Sequence, residues 1–444
     1  MGSSSDLYNL SNGRKKKFTW SYLLCALIVA LVIISHFYYN QSININSLYN
    51  SNSVSQIDPY PYPYPFVDAP SQDSDQKIIV TFPAGGLDSN KTTTCDYSKG
   101  EWVPTNLEPL YNGTTCGTIK QGQNCVVFGR PDREYLHWKW KPQECDLPRF
   151  DPNTFLNLMK DKHVAFVGDS LARNQLESLL CLIATVSKPN LTFSGGDDNR
   201  FRKWHLPSHN INVSIYWSPF LVKGIEHSPD RQNFNTLYLD KVDERWAGDL
   251  SSFDMLVMAS GQWYLLSAVF HYEDQVLGCH ILDNCTEIGF YDVYGKALKT
   301  AFQAIVQRRR SIEHSLDVFL TTFPPAHFEG DWDKLGSCSK TKPYKAGEEV
   351  LQGANAEMRR IGVDKVDEAQ QMFKEGRVRF KALDVTELSL LRPDGHPGPY
   401  MIPFPFKNGV SDRVQNDCVH WCLPGPIDTW NEILLQMIKN NRAT

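Results

Sequence analysis

Two short segments, far apart in the chain, carry residue types that can act on an acyl group. Phe166-Val167-Gly168-Asp169-Ser170-Leu171-Ala172-Arg173-Asn174 sets a serine where an apolar run ends in glycine and a helical pattern begins. Backbone N–H groups and the helix dipole at such a turn favour developing negative charge. A serine there can attack an acyl carbon while its own N–H helps hold the oxyanion. Asp and Ser are also preferred helix N-caps, so Gly-Asp-Ser alone does not establish catalysis. The second segment is Asp417-Cys418-Val419-His420-Trp421-Cys422. A serine hydroxyl is a poor nucleophile until a base takes its proton, and an imidazole base needs a carboxylate to fix its tautomer. Asp417 and His420, three apart, lie on one face of a turn, so one segment supplies both groups. If Cys418 and Cys422 are both bridged, that segment is pinned rigidly.

Other candidates are weaker. His327-Phe-Glu-Gly-Asp331 matches the bare H-x-x-x-D pattern of soluble CoA-dependent acyltransferases, without their other motif. His396, in the turn-rich Arg392-Pro-Asp-Gly-His-Pro, reads as structural or substrate-lining. Gly261 and Trp263 follow an apolar run that ends at Ala259. Gly261 is a candidate second oxyanion donor; Trp263 is a candidate sugar-stacking surface or simply core. The pairs Cys418-x-x-x-Cys422 and Cys279-x5-Cys285 suggest zinc only superficially, and no metal is expected.

The elements that must position these groups read as alternating strands and helices. Apolar runs at His163–Val167, Asp254–Ala259 and Leu316–Thr321, and Val378–Val385, read as strands. Helical patterns cover Leu171–Ala184, residues 294–310 and 350–374, and Ile427–Lys439. This alternation predicts an α/β fold with a parallel sheet covered on both faces. Ser170 then falls at the carboxyl edge, where ligands collect in open α/β sheets. From about Lys91 to Phe150 the chain is rich in Cys, Trp, Pro and Gly and shows little helical period.

Composition narrows the setting. The 444 residues are 41% hydrophobic and 21% charged, with 45 Lys+Arg against 50 Asp+Glu and a formal charge of -5, which excludes a strongly basic nucleic-acid binder and a highly acidic disordered chain. Aromatic content is high, with 11 Trp and 19 Tyr, suiting a core or stacking on flat ligands.

Arg14-Lys15-Lys16-Lys17 precedes an apolar run over 18–38, and about 20 such residues span a bilayer's hydrocarbon core. The cations place the N-terminus in the cytosol. A cleaved signal peptide is the alternative, but no small-x-small site follows the run. Residues 1–17 thus read as a cytosolic tail and 18–38 as a signal anchor. Residues 39–90, with Pro59-Tyr-Pro-Tyr-Pro-Tyr-Pro65, read as an extended stem, and 91–444 as a lumenal domain. Cys25 lies in the anchor; the ten remaining cysteines read as disulfides of an oxidising compartment. Glycosylation sequons stand at Asn90, Asn112, Asn190, Asn212 and Asn284, all on the lumenal side.

The order Ser…Asp…His, closing on D-x-x-H, is that of the SGNH/GDSL esterases and acyltransferases. Further motifs are Cys95-Asp-Tyr-Ser-Lys-Gly-Glu-Trp-Val, Tyr135-Leu-His-Trp-Lys-Trp-Lys-Pro…Cys145-Asp-Leu-Pro-Arg-Phe, and Asp417-Cys-Val-His-Trp-Cys-Leu-Pro-Gly-Pro-Ile-Asp-Thr-Trp-Asn431. With the Gly-Asp-Ser segment, these resemble the plant trichome birefringence-like family of Golgi polysaccharide O-acetyltransferases over about 94–444. The resemblance implies a Rossmann-like α/β/α major lobe, a smaller disulfide-bonded lobe, and a groove between them for polysaccharide. It implies bridges Cys95–Cys145, Cys116–Cys181, Cys125–Cys422 and Cys338–Cys418, with Cys279 and Cys285 left to pair locally. It also implies a positioning role for Arg173. The implied mechanism is double displacement through an acetyl-Ser170, with acetyl-CoA or an acetyl carrier as donor and no bound cofactor. Localisation follows as a single-pass type II Golgi membrane protein, associating with other proteins of the acetylation pathway.

For the acceptor, the block from Thr321 to Lys334, the Cys279…Cys285 pair and the Leu-Pro-Gly-Pro-Ile-Asp-Thr-Trp ending resemble the branch containing xyloglucan acetyltransferases, which modify side-chain galactose mainly at O-6. Mannan or glucomannan and xylan or pectin are the alternative acceptors. A glycan acetyl-esterase and a non-catalytic wall-glycan binding protein are rival functions.

Overall fold

The computed structural model describes residues 95–196, 200–227, 232–374 and 376–443. The expected anchor, the stem and Asn90 lie outside them. Among the described residues no helix is long and apolar enough to cross a membrane.

In chain order the strands are β1 (Gly100–Pro104), β2 (Trp138–Pro142), β3 (His163–Gly168), β4 (Asn190–Gly195), β5 (Phe201–Leu206), β6 (Ile211–Trp217) and β7 (Val222–Ile225), then β8 (Asn235–Val242), β9 (Met255–Ala259), β10 (Ala268–Tyr272), β11 (Gln275–His280), β12 (Leu316–Thr321) and β13 (Val378–Leu383). The helices that matter for the site are α1 (Pro152–Leu158), α2 (Ser170–Ala184), α3 (Tyr291–Arg309), α4 (Gly353–Met372) and α5 (Asp428–Ala443).

The main sheet has the order β13-β12-β9-β3-β6-β5-β4. Its first five strands run parallel, whereas β5 pairs antiparallel with β6 and β4 antiparallel with β5. β3 and β9 read as unbroken apolar runs because both of their faces are covered. The helices lie on opposite faces, as neighbouring residues of β12 show. Leu320 packs toward Gly362 of α4, while Thr321 Oγ1 donates to Gln175 Oε1 of α2. Successive side chains of a strand point to opposite sides, so α2 and α4 sandwich the sheet.

The sheet expected from sequence was parallel, and the four strands read from the apolar runs all lie in its parallel part. Its antiparallel edge was not foreseen. β4 is almost wholly exposed and β5 half-exposed, so neither carries the apolar run of a buried strand. A second sheet, β11-β10-β8-β7, and the β1-β2 pair were not foreseen either.

Among the described residues five disulfides are present: Cys95–Cys145, Cys116–Cys181, Cys125–Cys422, Cys338–Cys418 and Cys279–Cys285. The four described sequon residues, Asn112, Asn190, Asn212 and Asn284, are exposed.

Candidate active site

The chain leaves β3 toward β6 on one side, and β9 lies on the other. Such a reversal of strand order opens a crevice at the carboxyl edge. Gly168 ends β3 there, in register with Trp217 of β6 and Ala259 of β9. Its φ is +151°, and a Cβ at this position would stand 1.7 Å from the Ala259 carbonyl oxygen. Only glycine lets the strands close this tightly.

Asp169 follows in extended conformation and N-caps α2, its Oδ1 accepting from the Leu171 N–H at 2.9 Å. Burial pushes the Asp169 carboxyl up to about 6, against the Leu171 N–H, the charge of His420 and the N–H groups of Gly261 and Gln262. Ser170 is the first helical residue and is buried. The Asp169 N–H is already donated to the Ala259 carbonyl, and that of Leu171 to the cap. Ser170's own N–H has no hydrogen-bond acceptor among the described residues and remains for an oxyanion.

The N–H groups of Gly261 and Gln262 favour the charged form of Asp169, whose Oδ2 is buried without a hydrogen-bond partner among the described residues. A Cβ on Gly261 would strike the Phe323 ring at 2.5 Å, which accounts for the glycine by packing. Trp263 is buried edge-to-face with Trp217 and Phe220, as core. Arg173 is buried one turn after the serine, its guanidinium 5.7 Å from the centre of the Trp217 ring.

Asp417 and His420 form the expected dyad. Asp417 Oδ2 lies 2.7 Å from His420 Nδ1, and Oδ1 accepts from the main-chain N–H of His420 and Val419. Burial would raise the Asp417 carboxyl, but His420's charge and hydrogen bonds, with the two backbone donors, outweigh it and hold the group down at about 2. Asp417 therefore stays ionised, and the proton of neutral His420 sits on Nδ1. His420 Nε2, the basic atom of that tautomer, is buried without a hydrogen-bond partner among the described residues. Main-chain pairing of Gly398 with Asp417 and the bridges at Cys418 and Cys422 secure the segment on both sides.

Asn174, the last residue of the Gly-Asp-Ser segment, has a task that its sequence position does not show. One turn after Ser170 and fully buried, it accepts from the Trp421 N–H at 2.7 Å and donates to the Trp421 carbonyl at 3.2 Å. The helix bearing the serine is thereby clamped to the residue after His420. Residues i and i+4 share a helix face, so a polar residue four after the serine was the available signal. The zip continues along α2. Asn431 Nδ2 donates to the Gln175 carbonyl and to Ser178 Oγ, and Ser178 Oγ donates to Asp428 Oδ1.

His327 and His396 meet each other behind this dyad rather than joining it, with their ring nitrogens 2.7 Å apart. Among the described residues no group of three His, Cys, Asp or Glu side chains is placed to hold a metal. A buried serine at the N-terminus of a helix that Asn174 ties to the residue after a carboxylate-oriented imidazole can perform acyl transfer through a covalent ester.

Comparison with known proteins agrees with this chemistry. Residues 147–437 match the GDSL/SGNH-like acyl-esterase family found in Pmr5 and Cas1p, and residues 93–146 match the PMR5 N-terminal domain. Xyloglucan O-acetyltransferase 1 of Populus trichocarpa is 61% identical over 350 residues, covering 78% of this chain and 82% of the relative. Its Arabidopsis thaliana namesake is 52% identical over 385 residues, covering 84% and 89%. Protein trichome birefringence-like 25 of Arabidopsis thaliana is 40% identical over 366 residues, covering 79% and 78%. With that extent of match across both of its domains, the chain belongs to the PMR5-domain, trichome birefringence-like family of GDSL/SGNH-like proteins.

Proposed function

We propose that this protein is a xyloglucan O-acetyltransferase, moving acetyl groups to side-chain galactose, mainly at O-6. The observation that carries the chemistry is the Asp417–His420 dyad tied by Asn174 to the helix that begins at Ser170. The acceptor rests on 52–61% identity to proteins named xyloglucan O-acetyltransferases.

In the first half-reaction His420 Nε2 takes the Ser170 proton while Oγ attacks the acetyl carbonyl of acetyl-CoA or an acetyl carrier. Charge on the carbonyl oxygen falls toward the Ser170 N–H and the α2 N-terminus. The tetrahedral adduct collapses to acetyl-Ser170, and the imidazolium returns its proton to the leaving group. In the second half-reaction His420 deprotonates a sugar hydroxyl, which attacks the acetyl-serine, and the proton ends on Ser170 Oγ. Asp417 holds the tautomer in both halves, and Arg173 positions the reacting groups. The acceptor would lie in a groove between the α/β lobe and the smaller disulfide-bonded lobe. The same reading places the enzyme as a single-pass type II protein of the Golgi membrane, working beside other acetylation-pathway proteins.

The test is to express residues 91–444 through a secretory pathway and supply acetyl-CoA with de-acetylated xyloglucan, glucomannan and xylan oligosaccharides. Xyloglucan should gain the mass of acetyl in place of hydrogen, and Ser170→Ala should abolish the gain. Preferential transfer to glucomannan or xylan would overturn the acceptor. Ser170-dependent acetate release without transfer would make the protein an esterase. Glycan binding with no Ser170-dependent chemistry would make it a binding module.

A further inference from the structure

Two histidines without a part in acyl transfer stand directly behind the base. His396 Nδ1 is 2.7 Å from the main-chain oxygen of His420, and His327 Nε2 is 2.9 Å from that of Leu390. Their inner nitrogens, His327 Nδ1 and His396 Nε2, face each other at 2.7 Å. A carbonyl oxygen only accepts, so each outer nitrogen must carry a hydrogen. A neutral imidazole has one N–H hydrogen. Two neutral rings so arranged would aim bare lone pairs at each other across hydrogen-bond distance. Three hydrogens on the four nitrogens satisfy all three contacts, and two do not.

We infer that His327 and His396 share one extra proton across their N···N contact, a proton-bound pair that fixes the main chain of His420 and so positions the general base. His396 reaches it through the His420 carbonyl. His327 reaches it through His396 and through its own main-chain N–H, which donates to the Cys418 carbonyl at 3.0 Å. Both are positioning residues.

The surroundings suit a monocation. The Trp421 ring stacks on His396, centroids 4.2 Å apart and planes 27° apart, presenting a π-face to the charge. Asp394 and Glu329 favour charge on His327, and Asp417 favours it on His396. Against it act burial, Lys340 beside His327, and Arg130, whose Nη1 donates to the His396 carbonyl. Burial draws each ring's affinity for a proton down, and the charge of one ring keeps a second proton off the other. A single extra proton shared by both rings is the one arrangement that satisfies the inner contact and both carbonyl contacts together.

The device has a direction in pH. While the proton is held, all three contacts stand. When rising pH removes it, the inner lone pairs repel and one contact must open, loosening His420.

Nitrogen-15 NMR of histidine-labelled 91–444 protein at neutral pH tests the pairing without reference to catalysis. The expected result is a shared N–H hydrogen with protonated-type shifts at three of the pair's four nitrogens, lost on alkalinisation and absent from His327→Phe and His396→Phe. Two neutral rings at that pH, in whichever tautomers, would overturn it. The positioning role rests on the acyl-transfer reading and is tested by rates. His396→Phe should lower kcat about five- to tenfold with KM unchanged, the worth of one buried hydrogen bond. His396→Asn, whose amide hydrogen can stand where Nδ1–H stood, should restore most of that. His327→Phe leaves a neutral His396 bonded to His420, so it should erase the alkaline step in the kcat profile. Retention of that step, or no rescue by asparagine, would refute positioning through the pair. Transfer that survives Ser170→Ala would instead sink the catalytic reading and leave the NMR result standing.

Discussion

Asn174→Ala is the sharpest perturbation the site offers, because it cuts the helix of the nucleophile from the segment of the base without touching either. Asn174 is fully buried and satisfies both main-chain groups of Trp421, itself fully buried. Truncation strands one N–H and one carbonyl. Each buried group left unmade costs about 1–3 kcal/mol, so the loss of stability should be about 2–6 kcal/mol. The rate effect is separate. If the clamp sets the spacing of Ser170 and His420, a relaxation of about 1 Å should lower kcat by about a hundredfold. The assay is the initial rate of acetyl transfer to xyloglucan oligosaccharides, taken far below the melting transition and normalised to folded protein, with Ser170→Ala as the zero. Loss of kcat at nearly constant KM is expected, with a lower denaturant midpoint. A folded Asn174→Ala protein with the parent's kcat would refute the reasoning, since the two segments would then hold their spacing by other contacts.

Two further outcomes follow from the geometry. Asp169 has its carboxyl raised from 3.8 to about 6, so its charged form is disfavoured in the fold: the cost is absent below about pH 4, grows as pH rises to about 6, and is constant above. Relative to the parent, Asp169→Asn should gain up to roughly 3 kcal/mol between those limits, beneath a pH-independent loss of cap strength; parallel stability–pH curves would rule this out. Replacing Cys125 and Cys422 by serine opens a bridge of 297 residues' separation, worth about 5–6 kcal/mol in chain entropy against about 2 for the Cys279–Cys285 bridge of separation 6. The first pair of substitutions should cost far more stability and activity by denaturant titration and acetyl transfer, and equal losses would contradict it.

How much of this was legible beforehand depended on locality. The strand–Gly-Asp-Ser–helix turn, the Asp417-x-x-His420 turn and the buried strands β3, β9, β12 and β13 are short-range patterns. Their periodicity and capping chemistry show in a handful of residues, and their meaning as a family showed in the long Asp417–Asn431 motif. The edge strands were invisible because neither β4 nor β5 is an unbroken apolar run. Trp263 and Gly261 were ambiguous because sequence does not report which neighbours a ring or an N–H will find.

The amino-acid sequence by itself determined the nucleophile's place at a helix N-terminus and the carboxylate–imidazole pairing, because each is enforced within a few residues of chain. Tertiary structure decided what spans hundreds of residues. It set Asn174 against Trp421, packed Phe323 against Gly261, and brought His327 to His396 behind His420. Those contacts depend on which polar groups are buried together and must satisfy one another, and that is fixed only once the sheet, the helices and the bridges have closed.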